Sequence, residues 1–567
     1  MRLLFCQLVI ILILFGLGIN SARSQQQVDI YFVQFHDKPQ DIHTLDNPGE
    51  YLSGKAIQRR LEQNIHFTEQ DLPVYQTYKN LVVQKGAQTI FTTKWMNGIG
   101  IIPDNPVVLE SIQKLSFVKN IAHIQSFFLE SAVSEIDYLK MYEKVEIIQE
   151  FIDESTSTKQ VETPNYGLSE HQIRMLFGDA LHDEGFLGDG LTIAVLDNGF
   201  LNANEISFFD SLWNKNQVLG TFDFIKNGPV EFNEGSHGTK VLSVMAANAP
   251  GTLMGTAPNS NYHLIRTEIA NSESILEEYL WLCGAEYADS VGADIINSSV
   301  GYTIFDDESK NHTYADLDGN TTIVARAADI AASKGILIVS SAGNYGNKDW
   351  IHIGSPSDAD SVLSVGAVDE NENLASFSSL GPTADGRIKP NVVAQGVRTA
   401  LIDVDGSPVF GNGTSFSAPL IAGLAACLWQ TSPQLDNMQV LECIQKSGSY
   451  ASLPNEHYGY GIPNFRLARQ FADEFVVSQT TDNFLIKAYP NPFYENLSLI
   501  LKSEKPSKLA LNVFGLTGKL LHTQEISLNQ GLNFVKLKSL RFLSSGIYFL
   551  QLRNSEYFVV KKVIKLF

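Results

Sequence analysis

Apolar and polar positions change their rhythm several times along the chain. Residues 1–24 combine a positive start at Arg2, a twelve-residue apolar run from Leu8 to Ile19, and a small-x-small end at Ala22-Arg23-Ser24. That is the pattern of a secretory signal peptide, and the run is short of the roughly 20 residues a membrane span needs. Over residues 25–128, β-rich and helical runs alternate. Val28–Phe35 reads as strand, Leu52–Gln63 as helix, Thr89–Ile102 as strand broken at Gly98, Val107–Leu115 as helix and Asn120–Gln125 as strand. The expected product is a small α+β unit of helices on a sheet. Residues 129–163 hold eight acids between Glu130 and Glu154, followed by Ser155-Thr-Ser-Thr-Lys-Gln160. Such a stretch buries little and reads as a solvated connector accessible to cleavage.

Over residues 164–471, short apolar strands alternate with helices. The strands are Leu191–Leu196, His263–Arg266, Ile295–Asn297, Ile336–Ser340 and Val362–Val365; the helices are Gly238–Ala247, Glu273–Ala288, Ile323–Ser333 and Ser417–Gln430. This predicts an α/β fold, a three-layer core with a mostly parallel sheet covered on both faces. Chemistry in such a sheet belongs at the carboxyl ends of its strands. Residues 472–486 read as a polar joint, and residues 487–567 return to period-two alternation with turn signals, predicting an all-β sandwich.

Composition narrows the function. The 567 residues suffice for about three folded units. Lys and Arg number 41 against 62 Asp and Glu, a formal charge of −21, and no basic patch suited to nucleic acid stands out. Residues 487–567 reverse the sign, with twelve bases against four acids. Of four cysteines, Cys6 falls in the leader. Cys283, Cys427 and Cys443 allow one disulfide and a spare thiol, or three buried thiols, and support neither a disulfide scaffold nor a cysteine-based zinc site.

Four polar side chains stand where a strand or loop meets a helix. Asp197 follows the apolar run Ile193–Leu196, His237 opens a helix within Gly235-Ser-His-Gly-Thr239, and Ser415 does so within Gly411-Asn-Gly-Thr-Ser-Phe-Ser-Ala-Pro419. Asn344 follows a strand in Ser340-Ser-Ala-Gly-Asn-Tyr-Gly346. A serine hydroxyl becomes a nucleophile when an imidazole takes its proton, and a buried carboxylate orients the imidazole and stabilises its cation. The intermediate's oxyanion then needs donors, which the Asn344 amide and the Ser415 N–H can provide. Each residue alone reads as a turn or cap residue. Their joint occurrence in this order carries the signal.

With these segments in view, residues from Pro164 to about Phe471 resemble the subtilisin-like serine peptidases, the subtilases. The matching motifs are Asp-Asn-Gly, His-Gly-Thr, Ala-Gly-Asn and Gly-Thr-Ser-Phe-Ser-Ala-Pro, with Ser361–Asp369 and Ala375–Gly381 as further anchors. The resemblance implies that Asp197 orients His237, that His237 is general base then acid, that Ser415 attacks a peptide carbonyl, and that Asn344 is an oxyanion donor. Asn198, Ser236 and Phe416 depart from the family's usual residues without touching these four. The resemblance also places Ser299, Val300, Gly301, Gly343 and Gly354 on the substrate-binding walls, where glycine leaves an open slot for a large apolar side chain. No cofactor is required. The family often carries structural calcium, and Asp316-Leu-Asp-Gly-Asn320 has alternating oxygen ligands, making Asp316 and Asp318 candidate metal ligands. That loop has no clear downstream bidentate Glu, and Thr321 or Thr322 serves equally as a cap for the helix from Ile323.

The amino-terminal unit resembles the inhibitory, fold-assisting propeptide of the same family. The carboxyl-terminal unit, with Ala488-Tyr-Pro-Asn-Pro-Phe493, Val513–Lys519, Gly546–Phe549 and Val560–Lys565, resembles the type IX secretion sorting domain of Bacteroidetes bacteria. The expected protein is a serine endopeptidase exported through the periplasm to the cell surface or medium. Its partners are protein or peptide substrates, its own propeptide and the outer-membrane secretion machinery. The rival readings are a catalytically silent surface binding protein on the same fold, and an α/β-hydrolase esterase. The latter demands Gly-x-Ser-x-Gly and the order Ser, acid, His, neither of which is present.

Overall fold

The computed structural model describes residues 26–129, 164–479 and 485–566, apart from 41, 270, 271, 490, 494–496, 538, 539, 541 and 555–557. The expected leader and nearly all of the acidic connector lie outside the described residues.

The amino-terminal unit has strands β1 (Gln26–Phe35), β2 (Ala87–Thr93), β3 (Gly98–Pro103) and β4 (Val118–Leu129), in the antiparallel order β2-β3-β1-β4. Its helices are α1 (Gly54–Glu62), α2 (Gln76–Val83) and α3 (Pro106–Gln113). The strand expected over Thr89–Ile102 with a break at Gly98 is a hairpin, because the chain reverses at Asn97 (φ 49°) before Gly98.

The central unit contains a seven-stranded, all-parallel sheet of β5 (Thr192–Asp197), β6 (Val218–Asp223), β7 (Asn261–Arg266), β8 (Ile295–Ser298), β9 (Leu337–Ser341), β10 (Val362–Val368) and β11 (Val392–Gln395). Their order is β11-β10-β9-β8-β5-β7-β6. Every residue of β5, β8, β9 and β10 is buried, as strands covered on both faces require. The principal helices are α4 (Ser236–Ala246), α5 (Ile275–Val291), α6 (Ile323–Ser333), α7 (Thr414–Thr431), α8 (Asn437–Lys446) and α9 (Phe465–Gln479). Ser274 and Glu277 close a capping box at the start of α5, and Gly292 ends that helix at φ 88°. Two strands escaped the sequence reading: β6, a half-exposed edge, and β11, only four residues long. The expected joint at 472–486 is a further correction. Helix α9 runs to Gln479, and Ala472 and Val476 lie four apart on its buried face.

The carboxyl-terminal unit pairs β12 (Leu485–Tyr489), β13 (Leu497–Ser503) and β16 (Gly531–Leu537) in one sheet. A second sheet holds β14 (Ser507–Gly515), β15 (Leu520–Leu528), β17 (Gly546–Arg553) and β18 (Phe558–Lys565). Leu499, Leu511, Val513, Leu550 and Leu552 fill the core between them. At the junction with the central unit, the Arg469 guanidinium lies 5.0 Å from the Phe186 ring and 4.2 Å from that of Tyr489. Glu184 and Asp473 pair with it at 3.0 and 3.6 Å.

The amino-terminal sheet lies on α5, with Phe32, Phe91, Trp95, Met96 and Ile124 sharing one core with Tyr279 and Cys283. Charges are buried in this contact. Asp289 of α5 takes Arg59 at 2.6 Å and Arg60 at 2.7 Å, with Lys94 at 3.4 Å. Asp71 pairs with Arg60 at 3.2 Å and with Lys334, just past α6, at 3.1 Å. One turn before Asp289, the Glu286 carboxylate accepts the N–H groups of Lys94 and Trp95, both at 2.9 Å, and the Thr93 hydroxyl. Cys283, Cys427 and Cys443 are all buried and free, which resolves the alternatives left by their number.

Candidate active site

Asp197 is the last residue of β5, and His237 and Ser415 are each the second residue of their helices, α4 and α7. Glycines allow the first two to meet. A Cβ on Gly235, whose φ is 72°, would stand 2.2 Å from the Asn198 carbonyl oxygen, and one on Gly238 would stand 3.0 Å from the Asp197 Cβ. The loops 198–199 and 234–235 therefore cross backbone to backbone. His237 Nδ1 donates to Asp197 Oδ1 at 2.8 Å, and Asn198 N donates to the same oxygen at 2.8 Å. This leaves His237 Nε2 as the acceptor nitrogen. The carboxylate is fully buried while the imidazole is 31% exposed. Burial disfavours the imidazolium, but the charge and hydrogen bond of Asp197 outweigh it and raise the His237 pKa above its ordinary value.

Pro419, four residues after Ser415 inside α7, has no N–H to give the Ser415 carbonyl. The Ser299 hydroxyl supplies the missing donor at 2.9 Å. The Ser415 hydroxyl in turn donates to the Ser299 carbonyl at 3.1 Å, so the two serines clasp each other. Ser415 Oγ is thus turned toward the end of β8, and its hydrogen bond is to Ser299, not to His237.

The Asn344 side-chain oxygen accepts from Thr414 N at 2.9 Å and Thr414 Oγ1 at 3.1 Å, which turns the amide nitrogen the other way. A Cβ placed on Gly413 would lie 3.6 Å from Asn344 Nδ2 and 3.7 Å from Ser415 N. The absent side chain leaves a gap faced by two donors at a helix start. Thr414 is a site residue that sequence reasoning missed. Its place inside Gly-Thr-Ser suggested a cap, and the partner it seats is 70 residues away.

A cleft of about 200 Å³ adjoins Ser415, and Ser299, Gly301, Gly343 and Gly354 line it, together with Asn344. Val300 is the exception. It alternates to the other face of the segment and packs against the core around Trp281. Asp316 and Asp318 are engaged in local turns. Asp316 Oδ2 accepts from Thr313 N and Oγ1, both at 2.7 Å, and Asp318 accepts from Asn320 N and Thr321 N at 2.8 and 2.7 Å. Thr322 caps α6 by accepting from Ala325 N. Among the described residues no group of three or more His, Cys, Asp or Glu side chains is placed to hold a metal ion.

Three family models match the chain: "Subtilase family" over residues 188–461, "Peptidase S8 propeptide domain, Bacteroidota" over 30–138, and "Secretion system C-terminal sorting domain" over 487–566. Subtilisin NAT of Bacillus subtilis subsp. natto is 30% identical over 311 residues, 54% of this chain and 71% of that protein. The subtilisin of Bacillus pumilus is 30% identical over 310 residues, 54% of this chain and 98% of that protein. Among solved structures, MycP1 with its N-terminal propeptide removed is similar at 22% identity and a TM-score of 0.43, covering 53% of this chain and 96% of that one.

Proposed function

This chain belongs to the subtilase family, and from that premise we propose a serine endopeptidase in which Asp197, His237 and Ser415 form the catalytic triad and Asn344 is an oxyanion donor. It is the precursor of a secreted or cell-surface serine peptidase, carrying a propeptide domain and a sorting domain. In the proposed cycle the Ser415 hydroxyl rotates from Ser299 to His237, whose Nε2 takes the proton as Oγ attacks the substrate carbonyl. Asp197 stabilises the imidazolium. The carbonyl oxygen, now negative, enters the gap beside Gly413 and accepts from Asn344 Nδ2 and Ser415 N. His237 then protonates the leaving amine, and water repeats the sequence on the acyl-enzyme. Side-chain and main-chain groups suffice throughout, so the reaction requires no cofactor.

The observation that carries this reading is the buried carboxylate holding His237 at 2.8 Å, with the His237 ring 5.9 Å from that of Phe416, the residue after Ser415, and with Asn344 Nδ2 and Ser415 N facing one gap at a helix start. The competing reading, a silent surface binding protein on the subtilase fold, draws on the Ser415 hydroxyl facing Ser299. A fluorophosphonate probe separates the two. The mature protein labels on Ser415, and Ser415→Ala abolishes labelling. A folded protein freed of its propeptide that stays unlabelled is the binding protein. Product mapping on denatured proteins then distinguishes internal cuts from terminal trimming.

A further inference from the structure

The cleft beside Ser415 departs from the apolar slot expected of it. Gly301, Gly343 and Gly354 add no side chain to its lining, and a Cβ on Gly354 would stand in ordinary contact with Thr303 Cγ2 at 3.5 Å and Tyr345 Cε2 at 3.6 Å. Its remaining lining is largely polar: Ser299, Ser341, Thr414, Tyr345 and Lys348. Lys348 is the one ionised side chain among the described lining residues. A backbone hydrogen bond from Lys348 N to Tyr345 O at 2.9 Å folds the turn that brings it there. Its ammonium lies 5.3 Å from the Tyr345 ring centroid and makes no ion pair among the described residues. The acid in electrostatic reach of Tyr345 is Glu273, which acts on the phenol and is not part of the lining. A cation held against a ring face, with its counter-charge missing, stands beside a cavity sized for one side chain.

We propose that Lys348 makes this cleft a subsite for an acidic residue on the amino side of the scissile bond, with the substrate carboxylate supplying the counter-ion. The inference rests on the proposed endopeptidase reading and deepens it. A glutamate stem lies against the Tyr345 ring with its carboxylate at the ammonium. A lysine there meets like charge, and a large apolar group forfeits hydrogen bonds to the hydroxyls around it. Because Lys348 is exposed, the preference is moderate and weakens with salt.

The test uses the mature enzyme and peptide substrates identical except at the residue before the cut: Glu, its neutral isostere Gln, Phe and Lys. The expected order of kcat/KM is Glu, Gln, then Lys, with Glu over Lys by about tenfold and Glu over Gln by about threefold at low salt. Both ratios shrink in roughly 0.5 M salt as the exposed pair is screened, by about half or more. Lys348→Ala brings Glu and Gln together, and Lys348→Glu inverts the order of Glu and Lys. The ratios are read within each variant, so an overall loss of rate does not mimic the effect. Cleavage that favours Phe or Lys in the wild type, or an unchanged Glu to Lys ratio in Lys348→Glu, overturns the inference while leaving the peptidase intact. Failure to cleave any substrate, with no fluorophosphonate adduct on Ser415, removes the peptidase reading and this inference together.

Discussion

At the scale of single residues, Asn344 and His237 give the sharpest expectations. Asn344→Ala is expected to lower kcat about 100- to 1,000-fold with little change in KM, the size known for loss of the equivalent donor in a subtilisin, a relative of this chain. His237 must be neutral to accept the serine proton, and its pKa is raised, so kcat/KM climbs through a limb above the ordinary histidine value of about 6.5. Asp197→Asn moves that limb down and lowers kcat by about 10⁴-fold, as a pH–rate profile of the two proteins reads directly. Stability runs the other way. The Asp197–His237 pair contributes fully below the unfolded histidine pKa, and that contribution is lost as pH rises through the raised folded value. The four motif residues were legible because each sits in a short local pattern at an element boundary. Thr414 and Lys348 were not, because their meaning depends on partners supplied by the fold: the Asn344 amide in one case, the cleft in the other.

At the scale of elements, the contact between the propeptide and α5 is held by charge as much as by apolar area. Arg60 is fully buried between Asp71 and Asp289, so truncating it leaves Asp71 with Lys334 alone and Asp289 with Arg59 and Lys94. Removing one member of such a pair costs about 3–5 kcal/mol. Because each carboxylate keeps another cation, the cost is a part of this, and a separately added propeptide carrying Arg60→Ala is expected to inhibit the mature peptidase at least about tenfold more weakly than the wild-type propeptide, in a titration of residual activity. Desolvation raises the Asp289 pKa, but Lys94, Arg60 and Arg59 outweigh it and bring it to about 2. The stability this provides is complete above the unfolded carboxylate value near 4 and is lost progressively as pH falls from there through about 2. Inhibition through this contact thus persists at about pH 5. The helix carrying Arg59 and Arg60 was legible in the sequence, but nothing local tells that these two side chains pair with α5, more than 200 residues away. Five of the seven strands of the parallel sheet were legible to within a residue or two at most ends, their apolar runs being continuous, whereas β6 and β11 were not. Helix α9 was split at Phe471 because its exposed face is polar, and composition registered that face more strongly than the spacing of Ala472 and Val476.

For the whole molecule, the three units follow the regimes of patterning in the chain, and the acid-rich stretch between the first and second is the expected place of processing. Amino-terminal sequencing and intact mass of the secreted protein are expected to find a new start between residues 130 and 163. Material that begins at residue 25 and is nonetheless active would refute that maturation route. Arg469 adds a consequence for later events. It belongs to the catalytic body, yet it lends one face to Tyr489 of the tail. Severing the tail uncovers that guanidinium while Glu184 and Asp473 stay beside it, so the trimmed protein presents a fresh polar facet where a joint used to be. Tailed and tailless forms then differ in surface chemistry as well as in mass, and a reagent selective for exposed arginine would tell them apart.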